Sequence, residues 1–60
     1  MNLKALRTAR GLTQVELAKK MKLKQAYVAR LESGEEHNPT LATLRRLAKA
    51  LKVTVGELVG

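Results

Sequence analysis

The chain has no cysteine, no aspartate, no phenylalanine and no tryptophan, and its one aromatic ring is Tyr27. Without thiols, neither disulfides nor a thiolate metal site can staple the fold. The lone His37 cannot complete a zinc site, which needs about four ligands. No apolar run approaches the roughly 18 residues that span a bilayer, and no signal-peptide pattern opens the chain. A soluble, cytoplasmic protein is the expectation. An enzyme is not, because one histidine and five glutamates offer little acid–base chemistry and the chain is short for a pocket of usual size. No cofactor or metal is implied. At 60 residues the chain is one domain at most, near the lower limit for folding without staples.

Leucine, valine, alanine and methionine must then supply the core. The remaining signal is charge. The formal net charge is +7, and it is unevenly placed. In residues 1–30, Lys4, Arg7, Arg10, Lys19, Lys20, Lys22, Lys24 and Arg30 stand against Glu16 alone. In residues 31–60, Arg45, Arg46, Lys49 and Lys52 are matched by Glu32, Glu35, Glu36 and Glu57. The whole excess sits in one half, as in a polyanion-binding face. A surface tuned only for solubility would also be charged, so charge alone does not decide.

Local signals divide the chain into five helices and no strand. Asn2 is placed to cap a first helix over about 3–10, with Leu3, Leu6, Arg7 and Arg10 toward its inner side, and Gly11 stops it in a left-handed conformation. Thr13-Gln14-Val15-Glu16 reads as a capping box that opens a helix over about 14–21, with Val15, Leu17, Ala18 and Met21 as its apolar residues. After Lys22-Leu23-Lys24, a third helix over about 25–33 buries Val28 and Leu31 and ends at Ser33-Gly34. Residues 35–39 form a polar loop. Thr40 caps a helix over 41–51, in which Leu41, Leu44, Leu47, Ala48 and Leu51 recur at helical spacing. Thr54 caps a last short helix, 55–59. The expected class is all-α, a compact five-helix domain spanning 1–60.

The informative feature is a pair of short helices, about 14–33, joined by only three residues. So short a turn forces a steep crossing, and Ala18 is small enough at the closest approach to permit it. Once Val28 and Leu31 are buried, the third helix leaves Gln25, Ala26, Tyr27, Ala29 and Arg30 outward. Such a face can donate, accept and fit closely against base edges, and it contains no acid.

From Leu6-Arg7 through Gly11-Leu12-Thr13-Gln14, Glu16-Leu17-Ala18, Val28 to Leu31-Glu32-Ser33-Gly34, Asn38-Pro39-Thr40-Leu41, Thr43-Leu44, Leu47 to Leu51 and Val53 to Leu58, the chain resembles the phage-repressor and Cro-type helix-turn-helix family. That family includes DNA-binding antitoxins. The resemblance runs through nearly all 60 residues in order. It implies a repressor-like domain binding double-stranded DNA, with the third helix in the major groove and Gln25, Ala26, Tyr27 and Arg30 toward the bases. The chemistry agrees: Gln pairs with adenine, Arg with guanine, and Ala fits a thymine methyl. Tyr27 can pack on a sugar or methyl, donate to a phosphate, or simply shield the core. Thr13 and Gln14, at a helix start where free amides suit phosphate, join Arg10, Lys24, Asn38 and Thr40 as expected backbone contacts. For Thr13, capping alone is the plainer reading. The resemblance also implies a structural ion pair between Arg7 and Glu32.

The sequence departs from the family at Lys22 and Lys52, where glycine usually ends the helix, and at the acidic Glu35-Glu36-His37, where basic residues are frequent. These replacements leave a designed DNA binder open beside a natural repressor. The rival from another class is a protein-interaction module, either an antitoxin or a helix-turn-helix scaffold. No extra toxin-binding segment is visible. A membrane-surface peptide built on the basic amphipathic stretch Leu41–Lys52 is the weaker reading, since three other helices need that apolar stripe. A homodimer on DNA is a further open arrangement.

Overall fold

A computed structural model describes residues 1–36 and 39–60 of the chain. His37 and the expected phosphate ligand Asn38 lie outside the described residues. Five helices follow in order: α1 (Leu3–Ala9), α2 (Gln14–Met21), α3 (Gln25–Ser33), α4 (Leu41–Leu51) and α5 (Val55–Val59). Their bounds depart from the sequence reading only at the end of α1, where Arg10 is already the cap.

The starts of the helices follow their local chemistry. At α2 the Glu16 amide donates to the Thr13 hydroxyl at 3.1 Å, and the Thr13 amide donates to the Glu16 carboxylate at 2.8 Å. Thr54 and Glu57 repeat this reciprocal cap at α5. At α4 the Thr43 amide donates to the Thr40 hydroxyl at 3.1 Å. Asn2 departs from expectation. Its side chain makes no cap bond; its amide nitrogen donates to the Glu57 carbonyl at 3.3 Å, and its backbone N–H donates to the Leu58 carbonyl at 2.8 Å. Asn2 therefore fastens the start of α1 to α5.

Three helix ends share one design. The N–H of Gly11 reaches the Thr8 carbonyl and that of Leu12 reaches Arg7; Lys22 and Leu23 do the same to Lys19 and Ala18, and Lys52 and Val53 to Lys49 and Ala48. Each is a Schellman end, with a left-handed residue followed by an apolar one. The apolar followers Leu12, Leu23 and Val53 all pack against the core. Gly11 holds φ +69° without strain, whereas Lys22 and Lys52 sit at φ 57°. A side chain there costs on the order of 1 kcal/mol.

These turns converge the apolar faces. Leu3, Leu17, Ala18, Met21, Val28, Leu31, Leu47, Leu51 and Leu58 form the buried cluster, so every helix contributes. Ala18 is buried beside the α2–α3 turn, where so small a side chain lets the two helices approach closely. Two expected apolar positions stay outside. Val15 is 41% and Leu41 is 55% exposed. Each lies in the first turn of its helix, beyond the reach of the packed face. Among the described residues, no helix is long and apolar enough to cross a membrane.

Candidate nucleic-acid interface

α3 presents the face that the sequence pattern selects. Gln25, Ala26 and Arg30 are exposed, while Tyr27 and Ala29 are half-buried. At 3.6 residues per turn, Ala26 and Arg30 share the outward stripe, with Gln25 and Tyr27 on its two edges. Tyr27 packs its inner side against the core, so the shielding role and an outward role coexist. The Arg30 guanidinium carbon lies 5.7 Å from the centre of the Tyr27 ring, within the range of a cation–π contact. An open cleft of about 450 Å3 runs beside this face. Lys22, Leu23 and Lys24 of the turn line it together with Ala26, Tyr27, Arg30 and Thr43 of α4.

One neighbour was not foreseen. Arg30 Nε lies 3.9 Å from a Glu36 carboxylate oxygen, and the Glu36 amide donates to the Arg30 carbonyl at 3.1 Å. Glu36 thus comes back against the one cation of the outward face. The signal was present in its charge, but contiguity in sequence did not say which residue it would meet.

The start of α2 is held by a partly buried polar cluster. Arg7 Nε donates to Glu32 at 2.6 Å and Nη2 at 3.2 Å, a two-point pairing, while Nη1 donates to the Leu12 carbonyl at 2.6 Å. The side chains of Arg7 and Glu32 are only 11% and 5% exposed. Gln14, expected on phosphate, donates its amide to Glu32 at 3.0 Å. One carboxylate therefore ties α1, α2 and α3 together and aims Gln14. Burial pushes the Glu32 carboxyl up, but hydrogen bonds from Arg7 and Gln14, with the charges of Arg7 and Lys4, outweigh it and hold it below its ordinary value. The hydrogen bond to Glu32 raises Arg7 against its burial. Thr13 and its amide hold the Glu16 carboxyl low at the mouth of α2.

The other expected backbone contacts are scattered by function. Lys24 is exposed at the start of α3 with no capping bond of its own. Thr40 serves as the cap of α4 and also meets the Thr43 hydroxyl at 3.0 Å. Arg10 is engaged inside the domain: Nε donates to the Leu51 carbonyl at 2.7 Å and Nη2 to Lys52 at 3.1 Å. It satisfies the end of α4, a role that sequence spacing could not show across 41 residues. Arg46 does the same for the end of α2 through the Met21 carbonyl.

Residues 3–58 match the helix-turn-helix family. The immunity repressor protein of Bacillus phage phi105 is 45% identical over 58 residues, covering 97% of this chain and 40% of the repressor. An uncharacterized HTH-type transcriptional regulator of Sinorhizobium fredii is also 45% identical over 58 residues, with 97% of this chain and 74% of that protein covered. One from Coxiella burnetii is 36% identical over 59 residues, with 98% and 27% covered. The chain thus spans well under half the length of two of these relatives. No solved structure matches it significantly. The α2–α3 pair lies inside that match, and the chain belongs to the helix-turn-helix family of the phage-repressor type.

Proposed function

We propose that the domain binds double-stranded DNA in a sequence-specific way, with α3 in the major groove, and acts as a repressor by occupying its site. The observation that carries this is the outward stripe of α3. Gln25, Ala26 and Arg30 are exposed there with no acid of α3 among them, and Arg30 lies against Tyr27 on one side and Glu36 on the other. In this reading Gln25 and Arg30 address base edges, Ala26 fits a methyl, and Tyr27 borders the groove. In the same reading Thr13, Gln14, Lys24, Asn38 and Thr40 contact phosphates on either side of the groove. The Gln14 and Val15 amides, at the first turn of α2, are oriented for an anion. Arg10, occupied at the end of α4, is the weakest member.

Selection of binding sites from random duplexes, followed by titration of the selected site, tests this reading. Log affinity should fall linearly with log salt, by about 0.9 per phosphate neutralised. Undetectable or salt-independent binding at about 50 mM salt, where electrostatic contacts are strong, removes the proposal. Two copies acting together would select an inverted repeat with centres about one helical turn apart.

A further inference from the structure

A second concentration of charge lies where the ends of α2 and α4 meet. Lys20, Arg46, Lys49 and Lys52 surround an open cleft of about 470 Å3, with Met21 and Ala50 as its apolar lining. All four cations are exposed and no acid lines the cleft. The ion pairs among the described residues are Arg7–Glu32 and Arg30–Glu36, so no carboxylate neutralises these four. Helix ends account for part of the lysine content. Two C-termini carry roughly −0.5 charge each, about one negative charge against four positive. The surplus suits an outside polyanion.

This cleft continues the face of α3. Thr43, Arg46 and Lys49 recur along α4 at three-residue steps; Thr43 lines the cleft beside α3, and Arg46 and Lys49 line this one. On the α2 side, Met21 and Lys22 pass from one cleft to the other in the same way. A basic strip therefore runs from Arg30 through Lys24 and Lys22 to Arg46, Lys49 and Lys52. The domain is 23 Å across at its longest, so the strip stays within one duplex turn of about 34 Å. The two left-handed lysines, Lys22 and Lys52, mark successive stations on it.

We propose that the part of this strip beyond α3, Lys22 with Arg46, Lys49 and Lys52, is a second contact with the phosphate backbone of the same duplex, beside the bases read by α3 and indifferent to sequence. It rests on the DNA-binding reading above. The test is salt titration of Lys52→Gly and Lys49→Ala/Lys52→Gly on the selected duplex and on a scrambled duplex of equal length. The slope of log affinity against log salt should shrink by about 0.9 for the single variant and about 1.8 for the double. Both duplexes should weaken alike, leaving the preference for the selected site unchanged. Lys52→Gly should meanwhile melt a few degrees higher, because glycine takes the left-handed turn without strain. Weaker binding by a more stable protein cannot come from unfolding. Unchanged slopes in variants that still prefer the selected site overturn the strip and leave the reading helix standing. Two duplexes held per domain, with the second lost in the double variant, overturn the assignment to one duplex. Failure of the unaltered protein to bind either duplex overturns both.

Discussion

Glu32→Ala should lower the unfolding free energy by about 3 kcal/mol, the scale of removing one partner from a buried ion pair. For a domain this small, such a loss moves the melting temperature down by more than about 10 °C. The size follows from what the alanine leaves behind. Arg7 keeps its bond to the Leu12 carbonyl but loses both bonds to the carboxylate, in a site where its side chain is 11% exposed. Gln14 loses its acceptor as well. Arg7→Ala should also destabilise, since Glu32 is then buried with Gln14 as its remaining side-chain partner. The double variant should lose less than the sum of the singles, because neither charge remains to be stranded. Additive small losses in thermal melts would show that the two residues do not act as a pair.

The same carboxylate sets a pH dependence with a definite sign. Glu32 is held below its unfolded-state value, so the folded state binds its proton less readily. The stability that it contributes is present above the ordinary glutamate range and lost as pH falls through the depressed folded value. Glu16 is shifted in the same direction by its Thr13 cap, so both contribute to acid sensitivity. In melts across the acidic range, Glu32→Gln should be less stable at neutral pH and should lose less on acidification. A variant whose acid dependence parallels that of the unaltered chain would remove Glu32 as a source.

What could be read from sequence depended on how far apart the partners stood. The box at Thr13, the caps at Thr40 and Thr54 and the left-handed end at Gly11 involve residues within one or two turns, so residue type and spacing specify them, whereas lysine does not by itself specify the left-handed ends at Lys22 and Lys52. Asn2, Arg10 and Arg46 were different. Each completes a hydrogen bond on a helix remote in sequence, and only the packed core decides which carbonyl comes within reach. Apolar periodicity had a related blind spot. It places Val15 and Leu41 on candidate inner faces, but it does not say where along a helix the opposing surface stops. The face of α3 was legible because burial of Val28 and Leu31 leaves one side over. The approach of Glu36 to Arg30 was not, since it depends on the path of the chain after Gly34.

That approach bears on the separation of base reading from backbone anchoring. Arg30→Ala should weaken binding to the selected site by about 1–3 kcal/mol, roughly five- to 150-fold, and relax the preference at one base position. Binding to scrambled DNA should change far less. Gln25→Ala should behave in the same way at a different position. Lys24→Ala should instead weaken all duplexes alike and reduce the salt slope by about one, because phosphate contacts carry no sequence information. Gln14→Ala should follow Lys24→Ala in binding, with some loss of stability from its place on Glu32. Glu36→Gln supplies the opposite sign. Before Arg30 can meet a base it must leave a carboxylate 3.9 Å away, and that carboxylate also repels phosphate. The exposed pair itself contributes less than about 1 kcal/mol, so neutralising it should tighten binding several-fold and leave the fold intact. Binding curves for each variant on both duplexes, taken well below the melting temperature, decide the assignment. If Arg30→Ala weakens both duplexes equally while Gln14→Ala alters the preferred sequence, α3 is not the reading helix.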